Sequence, residues 1–219
     1  VAKKIVDVFK ARRVYARWRK PDRFDRNLVV IGAGSAGLVT SYIAAAVKAR
    51  VTLVEKHRMG GDCLNTGCVP SKALIKTARV LAQFRRAQDY GLKSATVEFD
   101  FAEVMERVQR VVNTVEPHDS AARYSELGVE CLQGEATIIS PWEVEVRLES
   151  GATQRLTTRA IVIAAGARPF VPPIPGLDEV GYLTSDSVWN LRTLPKRLVV
   201  LGGGPIGSEL TQAFARLGA

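Results

Sequence analysis

The stretch Leu28-Val29-Val30-Ile31-Gly32-Ala33-Gly34-Ser35-Ala36-Gly37 predicts the fold of this chain. An apolar run of strand length leads directly into the pattern G-x-G-x-x-G, and an Ala-rich helical segment follows over residues 38–49. Glycines at these three positions permit a tight turn, close approach of a pyrophosphate, and close packing of the helix on the strand. The pyrophosphate then meets the N-terminus of the helix, where free N–H groups favour an anion.

The residues after this helix complete a dinucleotide-binding pattern. Residues 51–54 form a second apolar run, and Glu55 follows it, twenty-three positions after Gly32. An acid in this place is suited to accept hydrogen bonds from a ribose hydroxyl. Because strand, glycine turn, helix, strand and acid occur in this order, we predict a Rossmann-like α/β domain with a parallel sheet.

The glycine pattern is repeated toward residue 219. Residues 198–201 form another apolar run of strand length, and glycines at 202, 204 and 207 repeat the spacing of the first pattern. A helix is predicted from Ser208 onward. Two such patterns predict the start of a second Rossmann-type unit and indicate two nucleotide cofactors.

Two cysteines, Cys63 and Cys68, lie between a Gly-Gly turn and a helical run predicted over residues 73–88. As a structural cross-link so short a loop contributes only about 2 kcal/mol, in a chain long enough to bury a real core. A helix that begins near Asp62 would hold Cys63 at its N-terminus, where the peptide dipoles favour a thiolate, and Cys68 about one and a half turns further in. We therefore predict a redox-active dithiol/disulfide couple.

The remaining segments predict further helices and strands. The apolar spacing of Phe101–Val115 predicts a helix. Residues 128–164 change to short β-type runs, and Cys131, in the first of them, is expected to be a buried thiol without a redox role. The β-type runs predict a small antiparallel meander at residues 129–132, 136–139, 143–148 and 155–158, followed by a buried strand at 160–164.

The stretch Val171–Gly176 is the best candidate for a linker.

Charge is unevenly distributed along the 219 residues. The chain has a net charge of +9, and residues 1–26, with ten Lys or Arg against three Asp, account for +7 of it. Over residues 1–20 a weakly amphipathic helix is predicted. We interpret this leader first as a solvated basic arm and second as a segment attracted to an anionic membrane surface. Nucleic-acid binding is not expected, because no recognised nucleic-acid-binding module follows.

Composition excludes several other classes of protein. Hydrophobic residues make up 47% and charged residues 24%, as in a globular protein. No apolar run reaches the length of a spanning helix, and there is no secretory pattern. Three cysteines do not make a secreted disulfide framework, so a cytoplasmic location, or one at the inner face of the membrane, is expected. No metal site is expected, since the two histidines and third cysteine lack metal-ligand spacing.

Residues 27–219 resemble the FAD-dependent pyridine nucleotide–disulfide oxidoreductases, in the branch of dihydrolipoamide dehydrogenase and mercuric reductase. The Cys63–Cys68 stretch, the two glycine patterns, Glu55 and the turn at Gly166 carry the resemblance in the expected order. It implies FAD at the first glycine turn, NAD or NADP at the second in the complete enzyme, and a disulfide between the two cysteines. The substrate would be a small molecule or a disulfide.

The resemblance also implies roles for individual residues. Cys68 would face the flavin, and its thiolate would donate charge to the ring system, while Cys63 would attack the substrate. Lys72 would lie near the flavin N5, paired with Glu209. The implied cofactor-binding residues, the last three for the nicotinamide cofactor, are Gly32, Gly34, Ser35, Ala36, Gly37, Glu55, Lys56, Gly61, Asp62, Gly166, Gly202, Gly204 and Gly207.

The resemblance covers an N-terminal fragment of such an enzyme. We expect a basic leader or tether at 1–26, an FAD-binding domain at 27–193, and the first strand and helix of an NAD(P)-binding domain at 194–219. The family's acid–base His/Glu pair comes from a partner subunit, and neither His57 nor His118 matches it, so the fragment should not turn over. The full-length parent is expected to be a homodimer.

Alternatives to this interpretation are a metal or quinone reductase tethered to a membrane, a non-catalytic flavin-binding fragment, and a zinc-binding scaffold on Cys63 and Cys68. The electron acceptor and the choice between NADH and NADPH are left open by the sequence.

Overall fold

A computed structural model describes residues 15–219. Most of the helix predicted over residues 1–20, and much of the basic leader, lie outside the described residues. The elements in chain order are β1 Arg26–Ile31, α1 Ser35–Ala46, β2 Val51–Glu55, α2 Gly61–Asn65, α3 Cys68–Arg85, α4 Phe101–Val115, α5 Ala121–Glu126, β3 Val129–Ser140, β4 Glu143–Leu148, β5 Thr153–Ile163, α6 Leu177–Val180 and α7 Pro205–Leu217. Short 3₁₀ turns lie at Ala87–Tyr90, Glu116–Asp119 and Val188–Asn190.

The chain divides into two compact units. The first contains residues up to Gly60 together with Asp119–Gly166, and the second contains Gly61–His118 together with Ala167–Ala219. All five strands belong to the first unit, and helices α2, α3, α4 and α7 belong to the second.

The first unit is built on a mixed sheet whose strands close on themselves in the order β1-β2-β3-β4-β5. Strand β1 pairs in parallel with β2 and with β5, and β2 pairs in parallel with β3. Strand β4 pairs antiparallel with β3 and β5. The α/β fold class, with a parallel sheet and a small antiparallel meander, is therefore as the sequence predicts.

The strands β3 and β5 are longer than predicted. The runs at 129–132 and 136–139 are one strand. The runs at 155–158 and 160–164 are also one strand, which ends at Ile163, and its residues 160–163 are not buried as predicted. The pairing of β3 passes from β2 to β4 between adjacent residues, Gln133 and Gly134, and its register with β4 shifts between Ile138 and Ser140. A Cβ on Gly134 would lie 2.5 Å from the carbonyl oxygen of Arg147, which explains a glycine inside this strand.

Both faces of the central strands are buried. Val30 and Leu53 pack under α1 with Leu38 and Val129, while Val29 packs on the opposite face, in a cluster with Val144, Val146 and Leu156. Successive side chains of a strand point to opposite faces, so a strand buried on both sides is a continuous apolar run. This explains why apolar and polar residues do not alternate over residues 28–31.

The described end of the basic leader packs on the first unit. The rings of Tyr15 and Phe24 lie 6.0 and 6.1 Å from the ring of Trp142, in the turn between β3 and β4. The Nζ atom of Lys20 lies 5.1 Å from the centre of the Trp142 ring. These cation–π and aromatic contacts fix the start of β1 against the meander.

The second unit is helical. Helices α3, α4 and α7 share a core in which Leu74, Met105 and Phe214 are fully buried. The bounds of α4, Phe101–Val115, are those predicted, because the side chain of Asp100 accepts hydrogen bonds from the N–H groups of Ala102 and Glu103 at its start. None of the helices described in residues 15–219 has the length and apolarity to cross a membrane.

Several predicted bounds are wrong. The helix predicted over residues 73–88 is α3, which runs from Cys68 to Arg85. Helix α1 ends at Ala46 rather than residue 49, since Lys48 adopts a left-handed conformation with φ of 65°. Helix α7 begins at Pro205 rather than Ser208, because proline suits the first position of a helix. Residues 198–201 are not a strand: in the described part of the chain no strand pairs with them, and a strand requires a hydrogen-bonded neighbour.

Candidate active site

The first glycine turn joins β1 to α1 in the first unit. Gly32 has φ of +101°, and a Cβ there would lie 2.3 Å from the carbonyl oxygen of Ala164. A Cβ on Gly37 would lie 1.8 Å from the carbonyl oxygen of Gly32. Gly34 is the N-cap of α1, and Ser35 and Ala36 are exposed in its first turn. The turn therefore leaves helix N–H groups accessible to an anion such as a pyrophosphate.

The carboxylate of Glu55 supports this turn. Its Oε2 accepts a hydrogen bond from the N–H of Ala33 at 2.7 Å, and its Oε1 accepts one from the N–H of His57 at 2.7 Å. A carboxylate has about four acceptor positions, so these two bonds leave capacity for a ribose hydroxyl. The side chain thus lies at the glycine turn, as a ribose-binding role requires.

Other predicted cofactor residues have local partners. The Nζ of Lys56 lies 2.6 Å from Oε1 of Glu135. The Oε2 of Glu135 lies 2.5 Å from a guanidinium nitrogen of Arg147. Hydrogen bonds from Lys56, and then from Arg147, lower the pKa of Glu135. Gly166 has φ of +68°, at the end of the first unit.

The two cysteines of the second unit lie on two helices rather than one. Helix α2 ends at Asn65, and Cys68 is the first residue of α3, so the single helix predicted from Asp62 is wrong. The break lies at Gly67, where a Cβ would come within 2.8 Å of the carbonyl oxygen of Asp62. Gly61 starts α2 with φ of +55°. Consequently Cys63 lies in the first turn of α2, and Cys68 also lies at a helix N-terminus.

The thiols of Cys63 and Cys68 are neighbours that interact with each other. Both are free, Cys63 half-buried and Cys68 exposed. A side-chain hydrogen bond with Cys63 raises the pKa of Cys68, burial raises it further, and the positive charge of Lys72 lowers it. Two neighbouring free thiols are suited to pass between dithiol and disulfide.

Lys72 and Glu209 form an ion pair in the second unit. The Nζ of Lys72, on α3, lies 2.6 Å from Oε2 of Glu209, on α7. The two side chains are 62% and 46% exposed, so solvent screens the pair and it contributes under about 1 kcal/mol to stability. The structure therefore brings together the two residues that the resemblance pairs.

The second glycine turn has the same backbone form as the first. Gly202 has φ of +108°, Gly204 is the N-cap of α7, and a Cβ on Gly207 would lie 2.4 Å from the carbonyl oxygen of Gly202. A largely apolar cavity of about 720 Å³ lies beside this turn, lined in part by Phe170, Val180 and residues 198–201.

Sequence reasoning missed Trp189. Its indole Nε1 donates to the carbonyl oxygen of Thr66, between the two cysteines, at 2.8 Å. The two residues are 123 positions apart, and no local pattern links them.

The remaining cysteine and histidines lie outside the pair. Cys131 is half-buried in the part of β3 that pairs in parallel with β2, and burial raises its pKa. The carbonyl of His57 accepts from Gln133, and His118 lies in a 3₁₀ turn. Among residues 15–219 no three His, Cys, Asp or Glu side chains form a group that could hold a metal ion.

The family described as pyridine nucleotide-disulphide oxidoreductase matches residues 26–219. A mercuric reductase of Staphylococcus aureus is 35% identical over 194 residues, which cover 89% of this chain and 35% of that protein. A dihydrolipoyl dehydrogenase of Mycoplasma pneumoniae is 37% identical over 198 residues, which cover 88% of this chain and 42% of that protein.

A solved structure shows the same fold. The HOCl-induced flavoprotein disulfide reductase RclA of Escherichia coli, as a cysteine-to-serine mutant in a Cu(II) complex, superposes with a TM-score of 0.75 at 28% identity. The match covers 90% of this chain and 41% of that one. The chain thus spans about a third to two fifths of the length of these three proteins.

These matches confirm the predicted family and its FAD and NAD(P)H cofactors at the level of the family. The matched residues, 26–219, contain both glycine turns and the cysteine pair. This chain belongs to the pyridine nucleotide-disulphide oxidoreductase family.

Proposed function

We propose that this chain is the FAD-binding and disulfide-bearing portion of an enzyme that moves electrons between NAD(P)H, FAD, the Cys63–Cys68 couple and a substrate. The observation that carries the proposal is the placement of Cys63 and Cys68 at the N-termini of two successive helices, α2 and α3, with Lys72 one turn after Cys68. A structural thiol pair would not need a cation on the same helical face.

The first glycine turn fits FAD. Its close backbone contacts leave no room for a Cβ at Gly32 or Gly37, and the exposed first turn of α1 would hold the pyrophosphate. Glu55 would hold the ribose through its remaining acceptor positions. Bound FAD supplies two-electron hydride chemistry.

The cysteines then carry out thiol–disulfide exchange. The Cys63 thiolate attacks one sulfur of the substrate disulfide, which forms a mixed disulfide and releases one substrate thiolate. The Cys68 thiolate next attacks the Cys63 sulfur, which releases the second thiolate and leaves the Cys63–Cys68 disulfide. The two protons lost by the cysteines pass to the two leaving thiolates. The positive charge of Lys72, which lowers the pKa of Cys68, favours the loss of the Cys68 proton in the second step.

The proposal extends to the electron acceptor, the second cofactor, the oligomeric state and the membrane. A small disulfide is the first candidate for the acceptor, and a metal ion or a quinone is the second, because mercuric reductase is among the relatives. We propose that the second glycine turn holds NAD or NADP and that the full-length protein is a homodimer. Residues 1–26, with their charge of +7, would contact an anionic membrane surface at its cytoplasmic face.

The test is the redox state of the cysteines in the full-length protein. We expect anaerobic addition of NAD(P)H to make both Cys63 and Cys68 available to an alkylating reagent, and a substrate disulfide to remove both again, as read by mass spectrometry. Cys63→Ser and Cys68→Ser should each reduce disulfide reduction to the background rate while FAD stays bound.

The matched control is Cys131→Ser, which removes a thiol outside the pair and should leave the rate unchanged. Equal alkylation of Cys63 and Cys68 before and after NAD(P)H, or full activity in either serine variant, would contradict the proposal. Activity toward mercuric ion or a quinone, with none toward disulfides, would move the assignment to the second candidate.

A further inference from the structure

The connection between the two redox cysteines is short and is fixed at both ends. Leu64 is 1% exposed, and the N–H of Thr66 donates to the carbonyl oxygen of Asp62 at 2.9 Å. After the break at Gly67, the N–H of Ser71 donates to the Gly67 carbonyl at 3.0 Å. These bonds come from the two helices themselves.

A third bond comes from a distant segment of the second unit. The indole Nε1 of Trp189 donates to the Thr66 carbonyl at 2.8 Å and to the Ser185 carbonyl at 2.7 Å. The Thr66 carbonyl follows the last residue of α2, so the helix itself does not provide it with a donor.

Trp189 is itself held firmly. It belongs to the 3₁₀ turn Val188–Asn190, is half-buried, and packs against the helical core of the second unit. The turn is closed by the N–H of Val188, which donates to the Thr184 carbonyl at 3.0 Å. The Ser187 Oγ accepts a hydrogen bond from the N–H of Thr184 at 2.9 Å. A rigid donor of this kind fixes the position of its acceptor.

We infer that Trp189 is a positioning residue for the Cys63–Cys68 couple: its indole N–H holds the backbone between the cysteines so that the two thiols stay in contact. The inference rests on the proposed function, because it concerns the equilibrium of the same couple. The effective concentration of one thiol toward the other depends on how narrowly the connecting backbone is held.

The direction of the effect follows from this. Without the indole N–H, the two sulfur atoms sample a wider range of separations in the dithiol, and closing the ring costs more entropy. The disulfide then becomes less favourable relative to the dithiol, so the reduction potential of the couple becomes less negative. A side chain that only fills the core would change stability and leave this equilibrium unchanged.

The experiment is a glutathione redox titration of the full-length protein, with alkylation and mass spectrometry of the Cys63–Cys68 peptide. In Trp189→Phe, which keeps an aromatic ring and removes the N–H, we expect the equilibrium constant to shift about tenfold toward the dithiol, which corresponds to about 30 mV. Trp142→Phe, the same substitution in the first unit, should stay within about twofold of the wild type, well below that tenfold shift.

A second variant at position 189 separates loss of the hydrogen bond from loss of packing. Benzothienylalanine at position 189 has the shape of tryptophan and lacks the N–H, so it should give the same shift as phenylalanine. A wild-type equilibrium constant in both variants would overturn the inference while leaving the proposed function intact. A wild-type protein whose thiols form no disulfide at any glutathione ratio would overturn the proposed function, and this inference with it.

Discussion

The two glycine turns have nearly the same backbone in different surroundings. Gly32 and Gly202 have φ of +101° and +108°, and the third glycine of each turn faces the carbonyl of the first. The strand before the first turn is paired on both sides, whereas in residues 15–219 no strand pairs with residues 198–201. The turn is therefore encoded locally by its glycines and the helix that follows, and the strand is not.

The contacts of the two turns differ as well. Behind Gly32 lies the backbone of Ala164, whereas a Cβ on Gly202 would meet nothing within 4 Å. In the first turn, the N–H of Ala33 donates a hydrogen bond to the carboxylate of Glu55. At the second, Ser208 Oγ donates to the Gly203 carbonyl at 3.3 Å. If these surroundings matter, the two turns should differ in how well they tolerate a side chain at the first glycine.

The largest expected difference is between Gly32→Ala and Gly202→Ala. Both variants place a Cβ in a left-handed conformation, which costs about 1–2 kcal/mol. At Gly32 the methyl group also collides with the Ala164 backbone, so we expect a total loss of about 2–5 kcal/mol and no bound flavin. Urea unfolding and flavin content of the full-length proteins measure this. Equal losses in the two variants would show that the surroundings do not matter.

Glu55→Gln should have an intermediate effect. Glutamine has a single acceptor oxygen, so it can accept from only one of the two N–H groups, those of Ala33 and His57, and turns its NH2 group toward the other. We expect a loss of about 1–3 kcal/mol and weaker flavin binding. Glu209→Gln is the matched control, because Glu209 contacts Lys72 in an exposed pair; it should cost under about 1 kcal/mol. Flavin affinity unchanged by Glu55→Gln would remove Glu55 from the binding site.

Asp25→Asn should have the smallest effect, through the start of β1. Hydrogen bonds to Asp25 from the N–H and hydroxyl of Thr157 lower its pKa in the folded state. The carboxylate therefore stabilises the fold fully above about pH 4, and this contribution is lost as the pH falls further, toward the folded pKa. We expect less than about 1 kcal/mol at pH 7, because Asp25 is exposed.

The measurement for Asp25 is the difference in unfolding free energy between wild type and variant at pH 7 and at about pH 3, where the unfolded carboxyl is protonated. The difference should shrink at the lower pH. Asp22→Asn corrects for the change in net charge. A difference independent of pH would show that the Thr157 contacts do not stabilise the carboxylate.

Features set by neighbouring residues could be predicted from the sequence. The bounds of α4 follow from apolar spacing and the Asp100 cap, and the first glycine turn follows from its own pattern. The pairing of Lys72 with Glu209 came from the family resemblance, and the structure shows it as a contact.

Features that depend on contacts between distant residues could not be predicted from the sequence. The joining of the predicted runs into β3 depends on β2 and β4, which lie on different sides of it in the sequence. The break before Cys68 depends on how closely Gly67 approaches the Asp62 carbonyl, which spacing alone does not reveal. Trp189 meets Thr66 across 123 positions.

The continuity of β3 and β5 limits how this chain can change in length. Because side chains alternate along a strand, one inserted residue near Gly134 would exchange the buried and exposed faces of everything that follows in β3. The turn between β4 and β5, where Gly151 is exposed with φ of +84° and open space around it, has no such restriction. We therefore expect insertions and deletions among relatives to collect at residues 149–152 and to avoid the interior of β3 and β5.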